Sequence, residues 1–88
     1  MAYTGMDIPA VQQLGRELNA AANEIQHLVS KLTPQITGAP WVGPDRERFV
    51  NDWTGQHVGQ LNQVIRALED ASHAAAANAA QQEQASGA

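Results

Sequence analysis

Residues 34–43, PQITGAPWVG, lie between two long stretches of helical pattern. They contain two prolines and two glycines, and helix breakers at that density predict a loop. Pro44 then suits the first turn of a second helix, where its missing N–H costs no hydrogen bond. Asp45 and Glu47 place negative charge at the positive end of that helix's dipole. The chain is therefore predicted to reverse direction once, near its middle.

The stretch before this loop is predicted to form a first helix over about residues 7–33. Asp7 can cap its N-terminus, and Pro9 fits its first turn. The helix is expected to end before Pro34, because proline disfavours helical geometry in the preceding residue, although a kinked continuation through Ile36 remains open. Its apolar residues follow alternating steps of three and four, the spacing of a coiled-coil seam: Val11, Leu14, Leu18, Ala21, Ile25, Leu28 and Leu32.

The stretch after the loop predicts a second helix over about residues 44–80, with a polar, flexible tail at 81–88. Its seam steps by three and four residues through Phe49, Trp53, His57, Leu61, Val64, Leu68, Ala71 and Ala75. A second apolar stripe is expected beside this seam and is predicted to face a partner: Val50, Val58 and Ile65, with Ile8 and Val29 on the first helix.

The length of the chain limits how much of this apolar surface a monomer can bury. Its 88 residues make one domain, residues 1–88, and the chain has no cysteine for a disulfide. Chains this short commonly need disulfides, a metal ion or a partner to hold their fold. The predicted fold class is therefore all-α: an antiparallel helical hairpin that dimerises into a four-helix bundle.

Composition excludes several classes of function. The formal net charge is −4, and the five scattered basic residues disfavour nucleic acid and anionic membranes as partners. The longest apolar run, residues 74–77, is too short for stable membrane insertion, and residues 1–7 show no signal-peptide pattern. No catalytic elbow or phosphate loop occurs, so neither an enzyme nor a cofactor is expected. Glu69 and His73 lack a third ligand within reach, so no metal site is expected.

Two helices of this pattern, joined by a loop that holds Trp41-Val42-Gly43, resemble the WXG family of early-secreted-antigen-like proteins. These are small substrates of the type VII secretion systems of actinobacteria and other Gram-positive bacteria. The resemblance covers essentially the whole chain, and Phe49 looks like the aromatic residue that opens the second helix in such proteins. It implies a WXG motif at Trp41 and Gly43, pairing with a second WXG protein as a homodimer or heterodimer, and recognition by the type VII secretion ATPase.

The family's export signal, Tyr-x-x-x-Asp/Glu near the end of the second helix, has no direct counterpart here. The only tyrosine is Tyr3, and a divergent tail of Asn78, Gln82 and Glu83 is the nearest equivalent. The resemblance implies a protein secreted without a signal peptide, cytoplasmic before export. The alternative is a chaperone-like partner that dimerises with a larger type VII effector and supports its export.

Each of three side chains can be interpreted in two ways. Trp41 can either close the end of the hairpin or be presented to another protein. His57 is expected on the apolar face, as a hydrogen-bonded histidine or as a pH-sensitive dimer contact. Arg46 can either form an intrahelical ion pair or steer a partner.

Overall fold

The computed structural model describes residues 5–87 and shows an all-helical hairpin, as predicted. Helix α1 spans Ile8–Thr37, and α2 spans Pro44–Asp52. A π-helical turn at Trp53–His57 joins α2 to α3, which spans Val58–Gly87. The second arm is thus one continuous helical rod that packs antiparallel to α1. The hairpin measures 65 × 20 × 17 Å.

Helix α1 begins as predicted and ends later. The carboxylate of Asp7 accepts a hydrogen bond from the Ala10 amide at 3.1 Å and so caps the first turn. The helix then passes through Pro34 and ends at Thr37, four residues beyond the predicted boundary. Proline removes only one hydrogen bond this close to a helix end. The Thr33 hydroxyl donates to the Val29 carbonyl at 2.7 Å, which adds a bond in the same turn.

The bend depends on a glycine and an arginine. Gly43 has a φ of 133°, a conformation that side chains with a Cβ rarely adopt, and its carbonyl accepts the Glu47 amide at 3.2 Å. The Arg46 guanidinium donates to the carbonyl of Thr37 at 2.6 Å. A cation at a helix C-terminus satisfies a free carbonyl and complements the helix dipole. Arg46 therefore fastens the second arm to the end of the first.

The π-helical turn changes the spacing of the residues that face α1. The Val58 amide donates to the Trp53 carbonyl, five residues back, so the turn contains one more residue than an α-helical turn. The inward positions consequently run from Trp53 to Val58 and then to Leu61, whereas the predicted seam passed through His57, which is exposed. The Trp53 indole N–H donates to the Thr33 hydroxyl at 2.9 Å and fixes the turn against α1.

Small residues form the centre of the contact between α1 and α3. Ala22 is 1 % exposed and Ala79 is fully buried, while Ile65 is the only buried large apolar residue among those described. The Ser72 hydroxyl donates to the Gly15 carbonyl at 2.7 Å, which brings the two backbones close together. Glycine, alanine and serine at successive contact positions permit this close approach.

The buried seam lies one residue further along each helix than the row of largest side chains. Half-buried members of the predicted seam are Val11, Leu18, Ala21, Ile25, Trp53, Leu61, Leu68 and Ala75. Exposed members are Leu14, Leu28, Leu32, Phe49, His57, Val64 and Ala71. The stripe predicted to stay uncovered is instead the inner one: Ile65 is buried, and Ile8, Val29, Val50 and Val58 are half-buried. That prediction is wrong, because small residues rather than leucines set the distance between the helices.

The predicted flexible tail is helical as far as Gly87, and Ala88 lies outside the described residues. Gln82 is half-buried, and the Gln12 amide donates to the Glu83 carboxylate at 3.4 Å. A Cβ on Gly5 would lie 3.1 Å from the Gln82 side-chain amide, so the N-terminal segment also contacts this end of α3. The contact between the two arms therefore extends through residues 82 and 83.

Candidate interaction surface

The exposed apolar side chains lie on one side of the hairpin. Each of them directly precedes an inward-facing residue of its helix. In an antiparallel pair, the positions preceding the contact on both helices fall on the same face. We call this the apolar face, and its exposed members are Leu14, Leu28, Phe49, Val64 and Ala71, with the half-buried Ala21 among them and Leu32 beside them.

The opposite side of the hairpin is polar and is bridged by a hydrogen bond between the arms. It carries Gln12, Asn19 and Gln26 on α1, with Asn62, Glu69 and Glu83 on α3. The contact from Gln12 to Glu83 joins the two helices across this side. We call it the polar face, and the difference between the two faces identifies the apolar one as the candidate interaction surface.

The surface area and shape show how little of the chain the hairpin buries. The accessible surface is 6413 Å², whereas a compact protein of 9.4 kDa exposes about 5000 Å². The radius of gyration is 19.7 Å, against about 12 Å expected for a compact domain of this length. Among the side chains that the structure describes, no large one is fully buried.

The bend carries an aromatic pair next to the apolar face. The Trp41 and Phe49 rings lie 5.7 Å apart, and 43 % of Trp41 is exposed. Val42, which follows Trp41 in the loop, is 96 % exposed. We call Trp41, Val42 and Phe49 the aromatic tip. Trp41 packs on the surface of the second arm and does not fill the space between the helices.

The Trp-x-Gly segment thus combines two different requirements. Gly43 is needed for its backbone conformation, and Trp41 is held by a ring contact that leaves nearly half of it accessible. The sequence predicts that Arg46 either forms an intrahelical ion pair or steers a partner. It forms an ion pair with Glu47 at 3.0 Å, but it also makes the contact with Thr37 described above. A cation in the first turn after a short loop is the sequence signal for such a role.

The histidine and acidic side chains of residues 5–87 are dispersed over the hairpin. His57 is exposed, its Nδ1 lies 3.4 Å from the Gln60 side-chain oxygen, and its ring lies 6.4 Å from that of Trp53. Glu69 is half-buried and His73 is exposed. Within residues 5–87, no three histidine, aspartate or glutamate side chains come together as a metal site would require.

The three candidate export residues have different surroundings. Asn78 is exposed and continues the apolar face towards the end of α3, since it precedes the buried Ala79. Gln82 is half-buried and lies beside Gly5, whereas Glu83 is exposed and accepts a hydrogen bond from the Gln12 side-chain amide at 3.4 Å. Only Gln82 is therefore partly covered by the rest of the hairpin.

No described helix is both long enough and apolar enough to cross a membrane. Comparison of the chain with protein-family models, curated proteins and solved structures gave no match.

Proposed function

We propose that this chain is a WXG-type protein of a type VII secretion system, acting by dimerisation and protein recognition. The observation that carries the proposal is the position of Trp41, half-exposed at the bend of a hairpin whose Gly43 has a positive φ. An aromatic side chain that is displayed at the bend supports recognition of the Trp-x-Gly segment by another protein. In this proposal the chain is not an enzyme and uses no cofactor.

Dimerisation through the apolar face supplies the burial that the hairpin lacks. A second hairpin on this face would make a four-helix bundle, and it would leave Val42 and much of Trp41 accessible at the end of the rod. An exposed aromatic side chain on a rigid support is a favourable contact for another protein. In this proposal the secretion ATPase binds the tip, and the four-helix bundle is the substrate that is secreted.

Replacement of Trp41 by alanine tests this proposal. The ring contact with Phe49 contributes about 0.5–1.5 kcal/mol, so we expect its loss to lower the melting temperature by about 2–12 °C. Export into the culture medium should be lost. Gln26→Ala on the polar face is the matched control and should change neither property. Normal export of Trp41→Ala would show that the aromatic tip is not needed for export. A decrease of about 3–5 kcal/mol in the free energy of unfolding would show that Trp41 is a core residue.

A second candidate function is that of a chaperone-like partner for a larger type VII effector with a similar hairpin. The position of Gln82 favours it, because a half-buried side chain beside Gly5 is less accessible to a receptor. The export signal would then belong to the partner protein.

Deletion of the partner gene separates these functions, and two truncations test the contacts at the end of α3. A chain that ends at Glu83 keeps every contact described for the end of α3 and should melt like the full chain. A chain that ends at Ala77 loses the fully buried Ala79, so we expect it to lose about 1–3 kcal/mol. We expect export of the chain that ends at Glu83 to persist and to disappear when the partner gene is deleted. Its full export from a strain without any other WXG protein would contradict the partner-dependent route.

A further inference from the structure

We propose that the π-helical turn at Trp53–His57 determines which way the aromatic tip faces, and that Trp53 positions the tip through its hydrogen bond to Thr33. This role rests on the proposed function in one respect, because it takes the aromatic tip as the recognised part of the molecule. It adds the element of the fold that orients the tip and the contact that holds this element in place.

The extra residue of the π-helical turn changes the rotational phase of α2 relative to α3. On α3 the inward positions run back from Leu61 to Val58. Another α-helical step of three or four residues would reach Gly55 or Thr54, which are both exposed. The residue that faces α1 is instead Trp53, which is half-buried. One residue of an α-helix accounts for about 100° of rotation, so the turn rotates α2 by about that angle.

This rotation decides where Phe49 lies. Val50 faces α1 and is half-buried, so Phe49, directly before it, lies at the side of the hairpin with its ring 5.7 Å from that of Trp41. In the phase of an uninterrupted α-helix, Asn51 would face α1, and Phe49, two positions away, would point away from α1. The Trp41 ring would then lose the side chain against which it packs.

Two long-range hydrogen bonds hold α2 in the observed phase. The Trp53 indole N–H donates to the Thr33 hydroxyl at 2.9 Å, and the Arg46 guanidinium donates to the Thr37 carbonyl at 2.6 Å. The Thr33 hydroxyl proton is itself donated to the Val29 carbonyl at 2.7 Å, which leaves the oxygen free to accept from Trp53. Both acceptors lie in the last two turns of α1, so the end of α1 selects the phase of the second arm.

Contacts within the π-helical turn do little to hold it. A Cβ on Gly55 or on Gly59 would meet nothing within 4 Å, so neither position packs against α1. The ring of His57 lies 6.4 Å from that of Trp53, on the exposed side of the turn. Single π-helical turns are rare in α-helices and are frequent at functional sites. The phase therefore depends on the contacts with α1, and Trp53 is the contact that lies in the turn itself.

Thr33→Val in the purified full-length chain tests this role of Trp53. The substitution removes the acceptor hydroxyl, so we expect exchange of the Trp53 indole proton to become faster by up to about tenfold, which corresponds to one lost hydrogen bond. We also expect the nuclear Overhauser cross-peak between the Trp41 and Phe49 rings to weaken. Thr54→Val is the matched control and should change neither signal. The Thr54 hydroxyl likewise donates to a carbonyl four residues back, but it lies in the exposed part of the turn.

Deletion of Gly55 from the Thr33→Val chain distinguishes positioning from a general loss of structure. Without this residue, the step from Trp53 to Val58 becomes four residues, so a regular α-helix directs both side chains towards α1. We therefore expect the cross-peak of the aromatic tip to return to its wild-type intensity, although the hydrogen bond to residue 33 is still absent. Deletion of Gln63, which is also exposed but lies in α3 beyond the turn, should not restore it.

Each opposite result overturns the inference. An unchanged cross-peak in Thr33→Val, or equal weakening in Thr54→Val, would show that the bond from Trp53 does not position the tip. Failure of the Gly55 deletion to restore the cross-peak, or equal restoration by the Gln63 deletion, would show that the phase of α2 does not control it. None of these measurements uses export, so the failure of this inference can be distinguished from the failure of the proposed function.

Discussion

Leu28→Asp is expected to prevent dimerisation at micromolar concentration and to remove the cooperative melt. Leu28 lies in the apolar face and is 50 % exposed in the hairpin, so a partner would bury what remains. An unpaired carboxylate in an apolar interface costs several kcal/mol, and each 1.4 kcal/mol weakens association about tenfold. We therefore expect the dissociation constant to rise by about a hundredfold or more, measured by sedimentation equilibrium.

Gln26→Asp is the matched control for that prediction. It introduces the same residue in the same helix, two positions away, on the polar face. A surface substitution of this kind usually changes stability by no more than about 0.5 kcal/mol. Equal weakening by both substitutions would mean that added charge, and not the apolar face, controls association. An unchanged dimer in Leu28→Asp would remove this face from the interface.

Gly15→Leu is expected to cause the largest loss of stability within the hairpin itself. A Cβ at this position would lie 3.4 Å from the Ser72 carbonyl and 3.6 Å from the Ala75 methyl group. The remaining atoms of leucine have no space unless the helices separate, which would also break the hydrogen bond from Ser72 to Gly15. Overpacking of this kind costs about 1–3 kcal/mol, and we expect the upper end of that range by chemical denaturation.

Gly59→Leu provides the comparison for that substitution. A Cβ on Gly59 meets nothing within 4 Å, so leucine should be accommodated without strain. Since glycine is unfavourable in a helix interior, the replacement should stabilise the protein by up to about 1 kcal/mol. Similar stability of the Gly15→Leu and wild-type proteins would contradict the close approach of α1 and α3.

The main features of the hairpin could be predicted from the sequence because they depend on local chemistry. Asp7 and Pro9 mark the beginning of α1, and Pro44 marks the beginning of the second arm. The prolines and glycines around Trp41 place the bend. These signals act over a few residues, so the sequence alone is sufficient to interpret them.

The position of the seam could not be predicted in the same way, because it depends on the distance between two helices. Steps of three and four fit both the row through Leu14 and Leu28 and the row through Gly15 and Ala22. The larger side chains favour the first row, but close packing of the backbones selects the second. In the sequence, the π-helical turn is visible only as an interval of five residues between the apolar residues Trp53 and Val58.

The ends of the elements also depend on contacts made across the hairpin. Helix α1 continues past Pro34 because Arg46, from the second arm, holds the Thr37 carbonyl at its end. The last turns of α3 contain the fully buried Ala79 and accept a hydrogen bond from Gln12 of the first arm at Glu83. Local propensity favours a stop at each of these places, and the tertiary contacts override it. The same reason explains why the sequence could not separate exposed members of the seam from covered ones. Leu28 is exposed and Ile25 is half-buried, and this difference arises only when the helices pack.

The mass and the melt of the purified chain over a range of concentrations test whether two hairpins form one bundle. We expect a mass of twice 9.4 kDa at micromolar concentration and a melting temperature that falls on dilution, since dissociation and unfolding are then coupled. A folded monomer of 9.4 kDa with a cooperative melt independent of concentration would contradict it.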